Sequence, residues 1–376
     1  MRFRLFLLFS QLKGRHWLLV VLLWLALVAP VKAAVQLRVA IEQAASQVKV
    51  GSSTPAVVRD YSTGRTLGKV AAMNAFYAQP LAGGVTVDRM QSGRIWIEPT
   101  DDGYVYIGDR WYRGKTLLVN TDKGLTAVNY VDLEQYLYSV LGAEMNGNWP
   151  PEALKAQAVA ARTYAIYKRK NESNDIYDVV DTQASQVYEG IVSESPGTHA
   201  AVNATTGQVL TYNNQIILSV FHACSGGHTA NVEDVWYESL PYLRGVKDFD
   251  QNVRACQWVK TFSPEDLNKR ISGVGNLVSL TPTLTPYGSI KILKFVGDKG
   301  TRELKGEAVR NVLGLRSTRF IITENPLGLR FDGRGLGHGL GMSQWGAYNL
   351  AKQGVKYQQI LGHYYRDTRL AIIQVQ

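Results

Sequence analysis

One glutamate in the sequence occupies a position that could support acid chemistry. Glu144 lies between two predicted helices, beside Met145 and near Trp149. If the first helix ends at Gly142, the carboxylate lies at the negative end of the helix dipole among apolar neighbours, and both influences raise its pKa. A carboxylic acid that stays partly protonated near neutral pH can act as a general acid. The alternative is an ordinary solvated loop glutamate, which position alone does not exclude.

The helix that follows Glu144 carries a pair of basic residues. Lys155 and Arg162 are seven residues apart and share a helix face, where they could bind an anionic or hydroxylated ligand. A solvated basic stripe explains the same spacing. Glu152, close to the start of this helix, is a favourable charge at a helix N-terminus rather than a catalytic candidate.

A glycine run near the C-terminus could bring backbone or ligand into close contact. Between residues 333 and 341 every second residue is glycine, so one face of an extended chain has no side chains. His338 is the residue within the run whose charge can change near neutral pH. The spacing lacks the dinucleotide fingerprint, and no Lys-Ser/Thr pair follows it. The run is therefore not a nucleotide-binding loop.

The chain has two cysteines, Cys224 and Cys256, for which three states stay open. A disulfide is favoured, because the chain carries an export signal. Alternatively, His222 and His228 could join both cysteines in a four-ligand zinc set, although the spacing matches no common zinc template. Two free thiols are the third state.

Residues 1–33 are predicted to be a signal peptide. A basic leader precedes an apolar run over 17–31, and a small-residue cleavage site ends at Ala33. The apolar run is shorter than a comfortable membrane span, so cleavage is favoured over anchoring. We expect secretion to the periplasm or cell envelope, with membrane contact only through the signal segment, as an anchor if it stays uncleaved.

The charge of the chain gives little information about its partners. The sequence has 41 basic and 31 acidic residues, a net charge of +10. The leader holds five of the basic residues and no acidic residue, which leaves a net charge of +5 for residues 34–376. There is no Lys/Arg block and no nucleic-acid-binding motif, so nucleic acid is not an expected partner. Affinity for an acidic polymer is compatible with this charge.

The elements that position these residues predict an α+β fold. Residues 34–108 form a β-rich segment of short apolar runs separated by Gly, Asp and Ser. Residues 109–376 mix strands and helices without regular βαβ alternation. Asp132 is the predicted cap of a helix that ends at Gly142, and a second helix begins after Pro150. Further predictions are a hairpin turning at 122–124, helices over 198–206, 343–353 and 357–365, strands over 209–212 and 216–221, and a β-rich stretch over 277–296.

Six stretches of the sequence together resemble the SpoIID/LytB family. They lie in the family's order, and the resemblance extends over roughly residues 112–369, about two-thirds of the chain; the stretches are 112–114, 140–165, 185–188, 221–236, 241–243 and 333–346. The resemblance implies a SpoIID-like domain over 109–376 with a glycan-binding groove, and it implies that the glutamate of the Ala-Glu-Met motif, Glu144, is catalytic.

The resemblance also implies a function and an alternative to it. The first is an exported peptidoglycan lytic transglycosylase, which cuts the bond between N-acetylmuramic acid and N-acetylglucosamine in peptide-stripped strands and leaves 1,6-anhydromuramyl products. The alternative is a non-catalytic wall-binding protein that recruits or stimulates a cell-wall amidase. No cofactor is required in either case. Some family members are thought to carry a His/Cys zinc site, which the candidate set here matches only in part.

The expected substrate-binding residues are polar, charged and aromatic side chains from these stretches. Basic residues would contact the lactyl carboxylates of muramic acid. Trp149, Trp345 and Tyr188 would stack on sugar faces or belong to the core. His338 would bind the sugar, orient Glu144, or be satisfied by backbone in a tight turn. The full set is Lys155, Gln157, Arg162, Gln186, Tyr188, Arg334, His338, Ser343 and Gln344.

Overall fold

The computed structural model describes residues 35–236 and 238–373. The predicted signal peptide, residues 1–33, lies outside them. Strands and helices are mixed, with a β-rich N-terminal part before the first helix, which confirms the predicted α+β class. Residues 36–373 form one compact unit. Within the described ranges no helix is both long and apolar enough to cross a membrane.

The described chain up to residue 132 is built from strands. Alternating apolar residues, such as Leu37 and Val39 in the first strand, place one face of each strand in the core. The strands are β1 (Gln36–Ala45), β2 (Val48–Ser52), β3 (Ala56–Asp60), β4 (Thr66–Val70), β5 (Ala75–Leu81), β6 (Gly84–Val87), β7 (Met90–Ser92), β8 (Arg94–Pro99), β9 (Val105–Ile107), β10 (Arg110–Tyr112), β11 (Lys115–Thr121) and β12 (Gly124–Asp132).

Two sheets contain these strands. One has the order β13-β1-β12-β11-β8-β3-β4, where β13 is Val179–Val180, and the other has the order β10-β9-β2-β5-β6-β7. β1 pairs antiparallel with β12, with Gln36 opposite Asp132. The predicted hairpin at 122–124 joins β11 to β12. Strands from both sides of residue 108 therefore share one sheet, and the predicted domain boundary there stays a prediction.

Three helices follow the strands: α1 (Leu133–Glu144), α2 (Pro151–Asn171) and α3 (Pro196–Ala204). As predicted, the Asp132 carboxylate caps α1 by accepting hydrogen bonds from two backbone N–H groups of the first turn. The predicted end of α1 at Gly142 is wrong, because the helix continues to Glu144. Gly142 has a packing role instead: a Cβ there would overlap the carbonyl oxygen of Ser193 in the 3-10 turn Gly190–Ser193.

The remaining elements form the C-terminal half. They are β14 (Gln208–Tyr212), β15 (Gln215–Ile216), β16 (Phe221–His222), α4 (Val232–Val235), β17 (Gln257–Phe262), α5 (Pro264–Arg270), β18 (Leu277–Leu284), β19 (Ile290–Gly297), β20 (Gly300–Lys305), α6 (Gly306–Leu313), β21 (Phe320–Asn325), β22 (Gly328–Arg334), β23 (Met342–Ser343), α7 (Gln344–Lys352), α8 (Tyr357–Tyr364) and β24 (Arg369–Ile372). The predicted helices near 198, 343 and 357 and the β-rich stretch from 277 are present. The single strand predicted over 216–221 is replaced by β15 and β16.

Two hydrophobic cores support this half. One packs α2 against α7 and α8, around residues such as Leu340 and Met342. The other belongs to residues 257–334, which hold β17 to β22, α5 and α6, and it includes Trp258, Phe295 and Phe331. We call residues 257–334 the 257–334 lobe. The candidate site lies where this lobe, the end of α1 and the glycine run approach one another.

Candidate functional site

Glu144 faces a cavity of about 450 Å³, which we call the Glu144 cavity. The cavity is enclosed by β16, the start of α7, the glycine run and the loop over 183–187. His338 and Gln344, both predicted to bind substrate, line it together with Glu144. The sequence-predicted catalytic residue therefore shares one cavity with two of its predicted partners.

Burial raises the pKa of the Glu144 carboxyl group above its ordinary value. Two hydrogen bonds to the carboxylate oppose this effect: Gln344 donates from Nε2 to Oε2 at 3.1 Å, and the Val187 backbone N–H donates to Oε1 at 3.5 Å. Burial is the larger influence, so the raised pKa persists. Glu144 is also the last residue of α1, where the helix dipole disfavours negative charge. Such a group can hold a proton at a higher pH than a solvated glutamate.

The prediction of an extended glycine run is wrong beyond Arg334, because the four glycines from 335 to 341 all have positive φ. The run nevertheless packs closely against neighbouring chain. A Cβ at Gly337 would lie 2.9 Å from the His222 Cβ, and one at Gly335 would lie 3.1 Å from the Cys224 carbonyl oxygen. Leu336 and Cys224 exchange backbone hydrogen bonds at 2.8 and 3.2 Å. The close approach predicted from the sequence is thus made by the chain around 222–224. The opposite side of the run contributes Leu336, Gly337 and His338 to the Glu144 cavity.

Two neutral imidazoles lie in the cavity wall, with ring centroids 5.5 Å apart. His338 Nδ1 accepts a hydrogen bond from the Leu340 backbone N–H at 3.0 Å. Burial, with smaller effects from His222 and Arg310, lowers the pKa of His338 to about 3. His222 lies with Nδ1 2.9 Å from the Leu340 carbonyl oxygen, and burial lowers its pKa as well. The lowered pKa values disfavour the imidazolium form of both rings, and each ring can still form hydrogen bonds.

Arg162 does not reach any ligand, which corrects its predicted role. Its side chain is fully buried, and its Nε donates to Glu134 Oε1 at 2.8 Å. This ion pair links α2 to α1, and Glu134 also accepts from the Gly207 backbone N–H at 3.0 Å. The burial of paired opposite charges makes Arg162 part of the scaffold.

Lys155 is likewise outside the Glu144 cavity. Its ammonium group lies 2.9 Å from Glu152 Oε1, and the other oxygen of Glu152 accepts from the Tyr357 backbone N–H at 2.9 Å. These contacts join the first turn of α2 to the start of α8. Lys155 and Arg162 therefore both lie outside the Glu144 cavity, and the binding role of Lys155 stays a prediction.

Four further predicted binding residues are buried, which corrects the expectation that they contact substrate. Tyr188 donates to Asn129 Oδ1 at 2.9 Å, and Gln186 Nε2 donates to the Ala161 carbonyl at 3.3 Å. Ser343 caps α7 by accepting from a backbone N–H at 3.0 Å. Gln157 is fully buried, and neither of its side-chain polar atoms has a hydrogen-bond partner among the described residues. These four side chains belong to the protein interior.

An aromatic cluster lies next to Glu144 along the chain. Trp149, in the loop after α1, packs on Trp345 and Tyr348 of α7 with ring centroids 4.7 and 4.9 Å away. All three rings are half-buried. Since Gln344, which contacts Glu144, precedes Trp345 directly, this aromatic cluster lies beside the catalytic candidate and exposes apolar ring surface.

The structure joins Cys224 and Cys256 in a disulfide, the state that the sequence favoured. The predicted four-ligand zinc set is not assembled: in the described ranges, the group close enough to share a metal ion is the two cysteines with Asp250. His228 stacks on Tyr287 instead. Sulfur atoms bonded to each other do not offer thiolate ligands, so the residues present do not fit a His/Cys zinc site.

Arg334, the last predicted binding residue, lies at the end of β22 and does not line the Glu144 cavity. The residues that do line it and are absent from the predicted binding set include Phe221, Trp236 and Arg310. The first two lie in a stretch that carries the family resemblance, which was a usable signal. Arg310 comes from α6 of the 257–334 lobe, and no local pattern connects it with Glu144.

Comparison with known proteins supports the sequence resemblance. The profile of a family described as "Stage II sporulation protein" matches residues 121–212. Stage II sporulation protein D of Bacillus subtilis is 34% identical over 65% of this chain and 76% of its own length. An uncharacterised protein of Brachyspira hyodysenteriae is 34% identical over 71% of this chain and 73% of its own. The amidase enhancer of Bacillus subtilis is 32% identical over 62% of this chain and 40% of its own.

Proposed function

Because this chain belongs to the SpoIID family of stage II sporulation proteins, we propose that it is an exported peptidoglycan lytic transglycosylase. Its substrate would be the peptide-stripped glycan strand, cut between N-acetylmuramic acid and N-acetylglucosamine. The observation that carries the proposal is the half-buried Glu144 carboxyl group, which lines a cavity, has a raised pKa and accepts a hydrogen bond from Gln344. Breaking a glycosidic bond requires a general acid that donates a proton to the leaving oxygen.

Glu144 performs two proton transfers in this mechanism. Its protonated carboxyl first donates to the glycosidic oxygen as the bond to the muramyl anomeric carbon breaks. The resulting carboxylate then takes the proton of the muramyl 6-hydroxyl, whose oxygen closes onto the same carbon to form the 1,6-anhydro ring. No second carboxylate lines this cavity among the described residues. None is needed, because the nucleophile belongs to the substrate itself.

The cavity walls supply groups that suit a sugar. The imidazole of His338 can form hydrogen bonds with hydroxyl groups, and the rings of Phe221 and Trp236, which line the cavity, can stack on pyranose faces. Export is part of the same proposal. It is supported by the leader over 1–33 and by the Cys224–Cys256 disulfide, which persists in oxidising compartments.

Replacement of the catalytic carboxyl tests this function. Purified protein is incubated with peptide-free glycan strands, and anhydromuramyl ends are quantified by mass spectrometry. Wild type should produce these ends, whereas Glu144→Gln, which keeps the shape but has no acid, should lose at least about 10²-fold in rate. Glu152→Gln is the matched control, since that glutamate pairs with Lys155 outside the cavity and should leave the rate unchanged. Absence of anhydromuramyl ends with wild type would contradict the enzymatic proposal.

The second candidate is a non-catalytic enhancer of a cell-wall amidase. It is favoured by the 32% identity with a protein named amidase enhancer. In that case wild type would release no anhydromuramyl ends. Wild type and the Glu144→Gln variant would also accelerate peptide release by a purified amidase equally. The two assays therefore separate the candidates.

A further inference from the structure

A second cavity, of about 410 Å³, lies on the 257–334 lobe. We call it the lobe cavity. Its walls come from β17, the chain before β21, and the end of β22. Trp258, Arg319 and Arg334 are among the residues that line it, and Glu144 is not. The lobe cavity is thus separate from the site of the proposed bond cleavage.

The two guanidinium groups of the lobe cavity, Arg319 and Arg334, form no ion pair with any described residue. The Nη1 atom of Arg319 is buried and makes no hydrogen bond with any described residue. The Arg334 side chain is exposed, and within residues 35–236 and 238–373 it has neither a hydrogen bond nor an ion pair. One carboxylate, Asp332, lines the same cavity, but it is paired with Arg330 at 2.7 Å. The cavity therefore carries unneutralised positive charge.

Among the described residues, the buried Nη1 atom of Arg319 has no hydrogen-bond partner that would explain its position in the fold. A buried charge without a hydrogen-bond partner destabilises the folded state. Burial lowers the pKa of Arg319, and the nearby charge of Arg334 lowers it further, while Asp250 opposes both. Arg319 makes no hydrogen bond with Asp250: Oδ2 of Asp250 accepts from the backbone N–H groups of Ser225 and Gly226, and Oδ1 is buried without a hydrogen-bond partner among the described residues. An anionic ligand is the partner that would complete this arrangement.

The glycine run connects the two cavities. Gly333 and Arg334 line the lobe cavity, whereas Leu336 to His338 line the Glu144 cavity. A Cβ at Gly333 would overlap the indole of Trp258, so glycine is needed there for the ring to lie against the run. Since a chain spans at most about 3.6 Å per residue, the Cα atoms of Arg334 and His338 are at most about 14 Å apart. One extended polymer could therefore reach both cavities.

We propose that Arg319 and Arg334 bind a carboxylate of the glycan strand, on a sugar beyond the bond that is cut. The inference rests on the proposed function, which takes the ligand to be a peptide-free strand. Every muramyl residue of such a strand carries a free lactyl carboxylate, and guanidinium groups bind carboxylates in a planar, two-pronged geometry. The lobe cavity would then select strands from which the peptides have been removed, because a peptide on the lactyl group abolishes its charge.

Binding measurements with charged and neutral glycans test this subsite. Every protein carries Glu144→Gln, so that ligands stay intact during calorimetry. The ligands are peptide-free glycan strands and N-acetylglucosamine oligomers of the same length, which lack the lactyl group. Arg319→Gln and Arg334→Gln should each weaken strand binding about tenfold, the usual effect of losing a charged hydrogen bond. Their affinity for the neutral oligomers should not change. Arg65→Gln, which removes an exposed positive charge outside both cavities, should alter neither affinity.

Thermal unfolding distinguishes a binding role from a structural one. Loss of an unpaired buried charge should leave the Tm of Arg319→Gln unchanged or raised. A lower Tm together with equal weakening of both ligands would show that Arg319 is structural and would overturn the subsite. Unchanged strand affinity in both arginine variants would overturn it as well, even where wild type cleaves strands. Conversely, Arg334-dependent strand binding in the Glu144→Gln background, together with no anhydromuramyl product from wild type, would leave the subsite standing and contradict the cleavage proposal.

Discussion

At the scale of single residues, the balance around Glu144 determines its chemistry. Burial and the end of α1 favour the protonated carboxyl, whereas Gln344 and the Val187 N–H favour the carboxylate. The proposed reaction needs both states in turn, first as acid and then as base. The two hydrogen bonds lower the pKa of Glu144 less than burial raises it. The carboxyl group can therefore still hold a proton, and the carboxylate that forms after proton transfer is stabilised.

Removal of the Gln344 amide should shift the pH dependence of cleavage. The acid role is lost as pH rises through the pKa of Glu144 in the folded protein. The hydrogen bond from Gln344 lowers that pKa, so Gln344→Ala should raise it and move the basic limb of the kcat/KM profile to higher pH. The rate should also fall roughly tenfold, since a donor that positions the carboxyl is lost while the acid itself remains.

Gln353→Ala is the matched control for this change, because that residue is exposed just beyond α7. Its pH–rate profile should superimpose on that of wild type. A basic limb that moves to lower pH in Gln344→Ala would show that Gln344 does not stabilise the carboxylate.

Glu144, His338 and Gln344, which the sequence predicts at one site, do line one cavity, while their roles there stay predictions. Arg162 and Tyr188 were predicted as ligand contacts, yet both are buried among partners that come from distant parts of the chain, Glu134 and Asn129. Helical spacing indicates that two residues share a face, but it does not indicate which element covers that face.

At the scale of elements, the position of α1 depends on the absence of a side chain at Gly142. The 3-10 turn Gly190–Ser193 packs directly against this glycine. Because Glu144 ends the same helix, any displacement of α1 moves the proposed catalytic carboxyl. The sequence suggested a helix stop at Gly142, since glycine often ends helices. Tertiary contact, rather than backbone conformation, explains the residue.

Two glycine-to-alanine changes in helices should have opposite effects on stability. Gly142→Ala forces α1 away from Ser193 and should lower the free energy of unfolding by about 1–3 kcal/mol, the usual cost of overpacking. Gly362→Ala in α8 meets no atom within 4 Å and should raise it by about 0.5–1 kcal/mol. Urea unfolding followed by circular dichroism measures both. Equal effects in the two variants would contradict the packing role of Gly142.

The main elements near the site followed from the sequence, whereas their assembly did not. Capping by Asp132 and proline at the start of α2 are local signals, and both helices begin as predicted. Pairing of β1 with β12 and the approach of α6 to the Glu144 cavity join residues far apart in the chain. Periodicity carries no information about such contacts, which is why Arg310 was missed.

At the scale of the whole molecule, the disulfide ties the 257–334 lobe to the chain that forms the cavity wall. Cys256 directly precedes β17, and Cys224 lies between His222 and Ser225. The Gly335 N–H donates to the Cys256 carbonyl at 2.6 Å, so the glycine run is held at the same point. Since the bond joins the lobe that carries the lobe cavity to the chain that lines the Glu144 cavity, the relative positions of the two proposed glycan contacts depend on it.

Loss of the disulfide should therefore affect stability and strand binding together. The bond closes a loop between residues 32 apart in sequence. Chain-entropy arguments give about 3–4 kcal/mol for such a loop, so the Cys224→Ser/Cys256→Ser double variant should lose about that much in urea unfolding. Affinity for peptide-free strands should fall while the neutral oligomers bind nearly as before, because the lobe cavity is no longer held beside the Glu144 cavity. Thiol counting and metal analysis on wild type provide the control: we expect no free thiol, and a stoichiometric zinc ion that disappears in Cys224→Ser would contradict this role of the cysteines.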